Sequence, residues 1–453
     1  MKKVLVASIL IPLAVSCAAA LTADDLVAAM MTGNPDILKA REEVSKALLD
    51  VKDAKAGYSP TIDLTVTGSY IANPIDPIRI NLGDYIDTAA YGVKNDYITL
   101  YSGQESMYYQ FSLSLTQPIF TWGKITNAVK LYQAVYEARQ LQLEDSISQA
   151  QTEIQVRVAA LYYLQKIRDV LSQQKEIASR LVTLADDARE NGVMLATDAL
   201  SVKVQASQID VASAQIETQI LMMLTELENL TGIKNLNAGD IVFDEELVLD
   251  GVKGISETGL ESIRARSLAE SRLTFRLLGK LSEIATLANK ISGASVNWKP
   301  DFALVVNADY SGSRLPLAET DWYGKDDWSA TITVALKTTV LDGGKAVRDV
   351  KRTASGVEEA ELDIQSARSK IRSAVDQSWT DLLVGQAQID YRNALSEQLD
   401  AQNQVKRSLL DTGYGSESDY LQGQLERNNC EIEILKEKIS IATALYTLQY
   451  LQD

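Results

Sequence analysis

The feature that most constrains this chain is that it says the same thing twice. LTQPIFTWGKITNAV (115–129) and LKTTVLDGGKAVRDV (336–350) both carry a short apolar–polar alternation into Gly-Lys and then into a helical pattern, 221 residues apart. NGVMLATDAL (191–200) and TGYGSESDYL (412–421) repeat at the same offset, aligning Gly192 with Gly413, Asp198 with Asp419 and Leu200 with Leu421. YSPTIDLTVTGSY (58–70) is echoed by WKPDFALVVNADY (298–310), pairing Pro60 with Pro300 and Tyr70 with Tyr310 at an offset of 240. The difference falls in the longer segment between Tyr70 and Leu115. Units of this size far exceed solenoid periods of about 20–50 residues, so each copy is half a protein.

Each half reads as helix, strand, loop, strand, very long helix, tight turn, helix. The first repeat is expected over 21–232, with helices 21–57 interrupted at Gly33-Asn34-Pro35, strands 59–71 and 108–120, a long helix 123–190 and a helix 195–232. A linker over 233–255 precedes the second repeat, 256–453, with helix 256–293, strands 299–311 and 328–340, long helix 344–411 and helix 416–451. No Pro or Gly interrupts Lys124–Glu190, where Ile147, Ile154 and Leu161 recur seven apart as in a coiled coil. At 1.5 Å per residue such a helix is a rod of roughly 100 Å. Gly356 and Gly385 weaken its counterpart in the second half.

The strands alternate with period two. Ile62, Leu64, Val66 and Tyr70 alternate with Thr61, Asp63, Thr65, Thr67 and Ser69, and Phe111, Leu113 and Leu115 with Gln110, Ser112, Ser114 and Thr116. The second half repeats this with Phe302, Leu304, Val306, Ala308 and Tyr310, then Ile332, Val334 and Leu336. A half-buried soluble sheet has this pattern too. Segments of about ten residues, with tyrosines at strand ends and in the loop (Tyr85, Tyr91, Tyr97, Tyr101, Tyr108, Tyr109), match transmembrane β-strands with an aromatic girdle. The apolar set is then expected to face lipid. Four strands cannot close a barrel, and open edges are not tolerated in lipid, so several copies must pool their strands. Three copies would give twelve strands. The Gly-Lys junction occurs twice because each half inserts one hairpin and leaves it through glycine into a rod.

Composition removes other classes of function. Of 453 residues, 44 are basic and 61 acidic, a net charge of −17 that repels nucleic-acid phosphates. There is no histidine, hence no His-based triad and no His metal ligand, and Cys17 and Cys430 cannot form a metal site. No cofactor is expected. Seven methionines and no histidine also make a dedicated metal-relay lining a poor fit. Residues 1–20 read as a signal peptide: Lys2-Lys3, an apolar stretch VLVASILIPLAVS, then Ala18-Ala19-Ala20 before Leu21. Cys17 is a candidate lipidation site, but alanine stands where a lipoprotein signal usually has leucine, which favours cleavage after Ala20.

Taken in order, LTADDLVAAMMTGNPDI (21–37), Ser59-Pro60, QPIFTWGK (117–124), ENGVMLATDAL (190–200), LENLTGI (227–233) and DTGYGSESDYL (411–421) resemble the TolC-like outer-membrane efflux proteins. The resemblance covers nearly the whole chain. It implies a mixed α/β membrane protein, a homotrimer whose twelve-stranded β-barrel lies in outer-membrane lipid and continues into a periplasmic α-helical barrel. It implies an exit duct of an efflux pump or type I secretion system, with a periplasmic adaptor and an inner-membrane transporter as partners and no catalysed reaction. It places a channel entrance at Thr197, Asp198, Asp419 and Gln422, and adaptor-docking tips at Gly192, Val193, Gly413 and Tyr414. Gly415 stands where some relatives carry arginine, and Gln422 where some carry a further aspartate, so the entrance relies on fewer charged groups. The competing role for Asp198 and Asp419 is helix capping.

Two alternatives remain at this level. One is a periplasmic coiled-coil scaffold or adaptor without a pore, which two duplicated hairpins argue against. The other is an enzyme using paired carboxylates, for which only scattered acids on helices speak.

Overall fold

The computed structural model describes residues 21–85, 90, 92, 97–296, 298–318 and 328–452. The signal-peptide and Cys17 expectations, and Tyr91 of the girdle, lie outside these residues. The chain divides into two compact units, one of residues 1–46, 137–280 and 361–453, the other of residues 47–136 and 281–360.

The first unit is helical. It takes its residues from α1 (Ala23–Gly33), α2 (Pro35–Ala56), α3 (Lys124–Glu190), α4 (Ala196–Thr231), α5 (Glu245–Thr258), α6 (Leu260–Ser267), α7 (Leu273–Gly293), α8 (Lys345–Asp411) and α9 (Glu417–Gln452). α3 and α8 are both 67 residues long, α4 and α9 both 36, and their starts fall at 124 and 345, 196 and 417. The duplication extends to packing. Ile154 and Val375 are each fully buried, as are Leu227 and Leu448, every pair separated by the repeat offset. The unit has two cores: one joins α1, α3 and α4 through Leu26, Ile154, Leu161 and Leu227. The other joins α5, α8 and α9 through Val252, Val375, Leu382 and Leu448.

Local chemistry explains the ends of the short helices. Thr22 caps α1 reciprocally with Asp25, the side chain of each accepting from the other's backbone N–H. Asn34 is 5% exposed and caps α2, its Oδ1 accepting from Asp36 and Ile37 N–H, while its Nδ2 donates to the Leu230 carbonyl at the end of α4. There the backbones of Gly33 and Gly232 approach so closely that a Cβ on Gly33 would lie 2.3 Å from the Thr231 oxygen. This is why both TGNPD and LTG carry glycine.

The expected linker 233–255 and single helix 256–293 take a different form. α5 begins inside the linker, and the chain breaks at Gly259, whose φ of +77° no helix accommodates, and again at 268–272. Periodicity alone cannot show these breaks, because all three pieces keep an apolar face. Gly385, in contrast, leaves α8 unbroken. Its missing side chain admits Ile441, to which a Cβ would come within 2.8 Å, so close packing offsets its low helix propensity.

The second unit holds an antiparallel four-stranded sheet in the order β1 (Thr61–Tyr70), β4 (Met107–Phe120), β5 (Asp301–Gly312), β6 (Trp328–Lys337). The two repeats meet at β4–β5, and β1 and β6 are the edges. A feature the sequence reading lacks is a second hairpin, β2 (Ile78–Asn81) with β3 (Tyr97–Tyr101), inside the long first loop. Tyr97 and Tyr101 belong to this hairpin rather than to the ends of the main strands. At the strand-to-helix junctions, residues 122 and 343 both have left-handed φ (+54° and +64°), as do Gly123 and Gly344 (both +79°). The second repeat uses Gly-Gly there. The first places Trp122 in a conformation unusual for a bulky residue and holds it by a 2.8 Å hydrogen bond from its indole N–H to the Pro300 carbonyl.

Candidate channel surfaces

The helix-pair tips repeat bond for bond. Val193 N–H reaches back to the Ala188 carbonyl at 2.9 Å and Gly192 N–H to Arg189; Tyr414 N–H reaches Leu409 at 2.9 Å and Gly413 N–H reaches Leu410. This closure needs a left-handed residue, and Gly192 (φ +71°) and Gly413 (φ +78°) supply it. Nothing lies near their missing side chains, so the requirement is conformational. Val193 and Tyr414 project at the turns with 82% and 89% exposure, large apolar groups that this unit leaves uncovered.

Asp198 and Asp419 each occupy the third position of their helix, α4 and α9, and both are exposed. Neither accepts a backbone N–H among the described residues; Asp198 takes only a 3.4 Å contact from the Thr197 hydroxyl. The capping role is therefore not made. Gln422 is exposed one turn after the Asp419 position. No hydrogen bond or ion pair joins Asp198 to Asp419 within the described residues of one chain. The group that does make a contact here, and that sequence reading missed, is Glu417, which forms a two-pronged ion pair with Arg180 of α3 (2.8 and 3.0 Å). Hydrogen bonding from Arg180 holds the Glu417 carboxyl below its usual range.

A second missed constellation lies where α5 starts. Glu245 pairs with Lys438 of α9 at 2.7 Å and Lys166 of α3 at 3.0 Å, and accepts from the Tyr162 hydroxyl at 3.2 Å. Lys166 also sits 4.3 Å above the Tyr162 ring. Partial burial opposes the charge on Glu245, but the hydrogen bonds and charges of the two lysines outweigh it and bring the carboxyl from 4.5 down to about 2. Burial, aided by the Glu245 charge, pushes the Tyr163 phenol up. This is a structural tie among three helices. Its parts are 79 and 193 residues from Glu245, beyond any local sequence signal.

The register sorts the sheet into a mainly apolar and a mainly polar face, with Gln117 on the first and Val305 on the second. Ile62, Leu115, Val306 and Ile332 lie side by side across the four strands, as do Leu64, Leu113, Ala308 and Ala330, and then Val66, Phe111, Tyr310 and Trp328. Leu304, Val334, Phe302 and Leu336 continue this apolar face. Much of it is bare, with Ile62 at 63%, Leu64 at 65% and Ile332 at 77% exposed. Tyr70, at the end of β1, is 72% exposed. Tyr310 is a correction to the lipid-facing set. It is 1% exposed, its ring set between Phe111 and Trp328 and its hydroxyl donating to the Arg314 carbonyl at 2.8 Å. The turn after β5 brings that carbonyl over the ring, and a covered phenol needs such a partner. The opposite face bears Thr61, Asp63, Thr65 and Thr67, with Ser112, Ser114, Asn307, Asp309, Thr331 and Thr333 in register.

Among the described residues no helix is long and apolar enough to cross a membrane, and no group of three or more acidic or cysteine side chains is placed to hold a metal ion. Exposed apolar side chains occur on the sheet and the tips and also along the long helices, as at Leu200, Val204 and Val211 of α4.

Comparison with known proteins agrees with this division into sheet and paired long helices. No curated protein matches the chain. Among solved structures, the outer membrane protein VceC of Vibrio cholerae is similar with a TM-score of 0.70 at 14% identity, over 95% of this chain and 96% of that one. The CmeC outer membrane channel of Campylobacter jejuni gives 0.69 at 14% identity, over 95% and 85%. A membrane protein of Pseudomonas aeruginosa gives 0.72 at 14%, over 95% and 90%. Residues 26–233, the segment that runs from α1 through the first hairpin and helix pair, match the model of the outer membrane efflux protein family. Over that segment, 208 of the chain's 453 residues, the chain is similar to the outer membrane efflux proteins.

Proposed function

We propose that this protein is the exit duct of a tripartite efflux pump or type I secretion system, a homotrimer in the outer membrane that receives its cargo from a periplasmic adaptor and an inner-membrane transporter. The observation that carries this is the four-stranded sheet, apolar and exposed on one face, polar on the other, with free edges at β1 and β6. Water does not favour a bare apolar face, and lipid does not tolerate a bare edge. Joining β1 of one copy to β6 of the next satisfies both conditions, and three copies of the 4-stranded sheet close a twelve-stranded barrel with the polar face lining a lumen. The duplicated helix pairs form the periplasmic barrel. Asp198, Asp419, Thr197 and Gln422 line its entrance, and Gly192-Val193 and Gly413-Tyr414 present the adaptor-docking tips. The duct catalyses no reaction; its partner supplies the energy.

A poreless periplasmic scaffold is the weaker reading, since it has no use for an exposed apolar sheet face. The test is assembly and conduction together. Purified in detergent, the full-length protein should run as a trimer and open discrete conductances in planar bilayers. A monodisperse monomer without conductance overturns the proposal.

A further inference from the structure

We infer that the polar face of the sheet selects for cations through Asp63 and Asp309, independently of the carboxylates at the helix tips. The inference rests on the duct reading, which makes this face the wall of the barrel lumen.

The register places the two residues on neighbouring rungs of one surface. Asp63 lies in a row with Ser114, Asn307 and Thr331, and Asp309 in the adjacent row with Thr65, Ser112 and Ser329. Their environment is one-sided in charge. From the Thr61–Thr116–Val305–Thr333 row to the Thr67–Gln110–Ser311 row, every other side chain on this face is neutral, and no lysine or arginine occurs. Asp301, the third aspartate of this face, is compensated, with Lys124 at 2.8 Å and Lys337 opposite it in register. Asp63 and Asp309 form no ion pair among the described residues. Neutral partners hold the wall in place: the Ser112 hydroxyl donates to Asp309 Oδ1, and the Ser114 hydroxyl to Asn307 Oδ1 at 2.7 Å.

A lone carboxylate on a solvated surface is unremarkable, because bulk water and salt screen it within about 8–10 Å. Threefold repetition around a closed lumen changes this. Two uncompensated charges per chain become six facing one water column, and low-dielectric walls concentrate their field along the pore axis. Cations are enriched there and anions depleted, whatever the state of the periplasmic entrance.

The test uses the full-length protein in planar bilayers under a salt gradient, with the reversal potential as readout. Asn at both positions (Asp63→Asn with Asp309→Asn) should lower the cation-to-anion permeability ratio at least about twofold, with each single change giving part of the effect. Asp63→Asn alone removes no hydrogen bond and stays informative if loss of the Ser112 contact impairs folding. In a Thr65→Cys background, a cationic methanethiosulfonate reagent should react faster than an anionic one, and this bias should shrink when both aspartates are Asn. An unchanged permeability ratio and an unchanged labelling bias in a channel that still conducts overturn the inference alone. A wild-type protein that forms no channel overturns the duct reading instead.

Discussion

Arg180 and Glu417 hold each other by two parallel hydrogen bonds, Nε to Oε1 at 2.8 Å and Nη2 to Oε2 at 3.0 Å, tying the first repeat's long helix to the start of the second repeat's last helix. The tie breaks the internal symmetry. At the repeat offset Arg180 corresponds to Ala401 and Glu417 to Ala196, so no equivalent pair exists in the other half. The start of α9 therefore carries a tie to the other repeat that α4 lacks, while α4 is held within its own repeat by Lys203 to Asp186 of α3 at 2.9 Å.

Glu417→Gln should release the Arg180 tie. Amide hydrogen exchange in the first turns of α9 should quicken by about two- to fivefold, as expected for an exposed pair, while α4 stays unchanged. The Glu417 carboxyl is depressed in the folded protein, so its contribution is present above the ordinary glutamate range and lost as pH falls through the folded value. Acid should therefore reproduce the substitution in the wild type and add little in the variant. Equal exchange in both helices would refute the asymmetry.

Glu245 should make the helical unit acid-sensitive. Its pKa is lowered from 4.5 to about 2, so its stabilisation is full above pH 4.5 and disappears as pH falls towards 2. Glu245→Gln should remove about 2–3 kcal/mol at neutral pH and flatten this part of the pH–stability curve. Denaturant unfolding followed by circular dichroism at several pH values measures both effects.

Two kinds of glycine should respond differently to alanine. Gly192→Ala and Gly413→Ala add a side chain into open space but keep a left-handed backbone, costing about 1 kcal/mol each. Gly33→Ala sets a methyl group 2.3 Å from the Thr231 carbonyl oxygen, where backbone must move, and should cost about 3 kcal/mol. Thermal melts of the three variants should rank Gly33→Ala lowest.

Asp419→Asn tests the proposed entrance. Because Asp419 caps no helix among the described residues, the change should leave the protein's stability nearly unchanged and, on the duct reading, lower cation preference and weaken block by divalent or trivalent cations. Bilayer recordings with and without added multivalent cations measure this. A fall in stability with wild-type block would return Asp419 to a structural role.

Much of this was legible in the sequence, because it depends on local pattern. Sixty-seven residues without proline make α3 a single helix, period-two alternation assigns each strand a polar and an apolar face, and glycine at 192 and 413 marks the turns. The offset of 221 residues equates the two helix pairs before any coordinate is known. What tertiary structure decided are the relations between distant residues: Arg180 with Glu417, Glu245 with Lys166 and Lys438, the burial of Tyr310, and the register that puts Asp63 and Asp309 on one uncompensated face. Helix and strand periods arise from steric and hydrogen-bonding rules acting within a few residues, so a sequence displays them directly. Ion pairs and cover across hundreds of residues depend on where packing brings the helices and strands together, and the chain carries no local pattern for that.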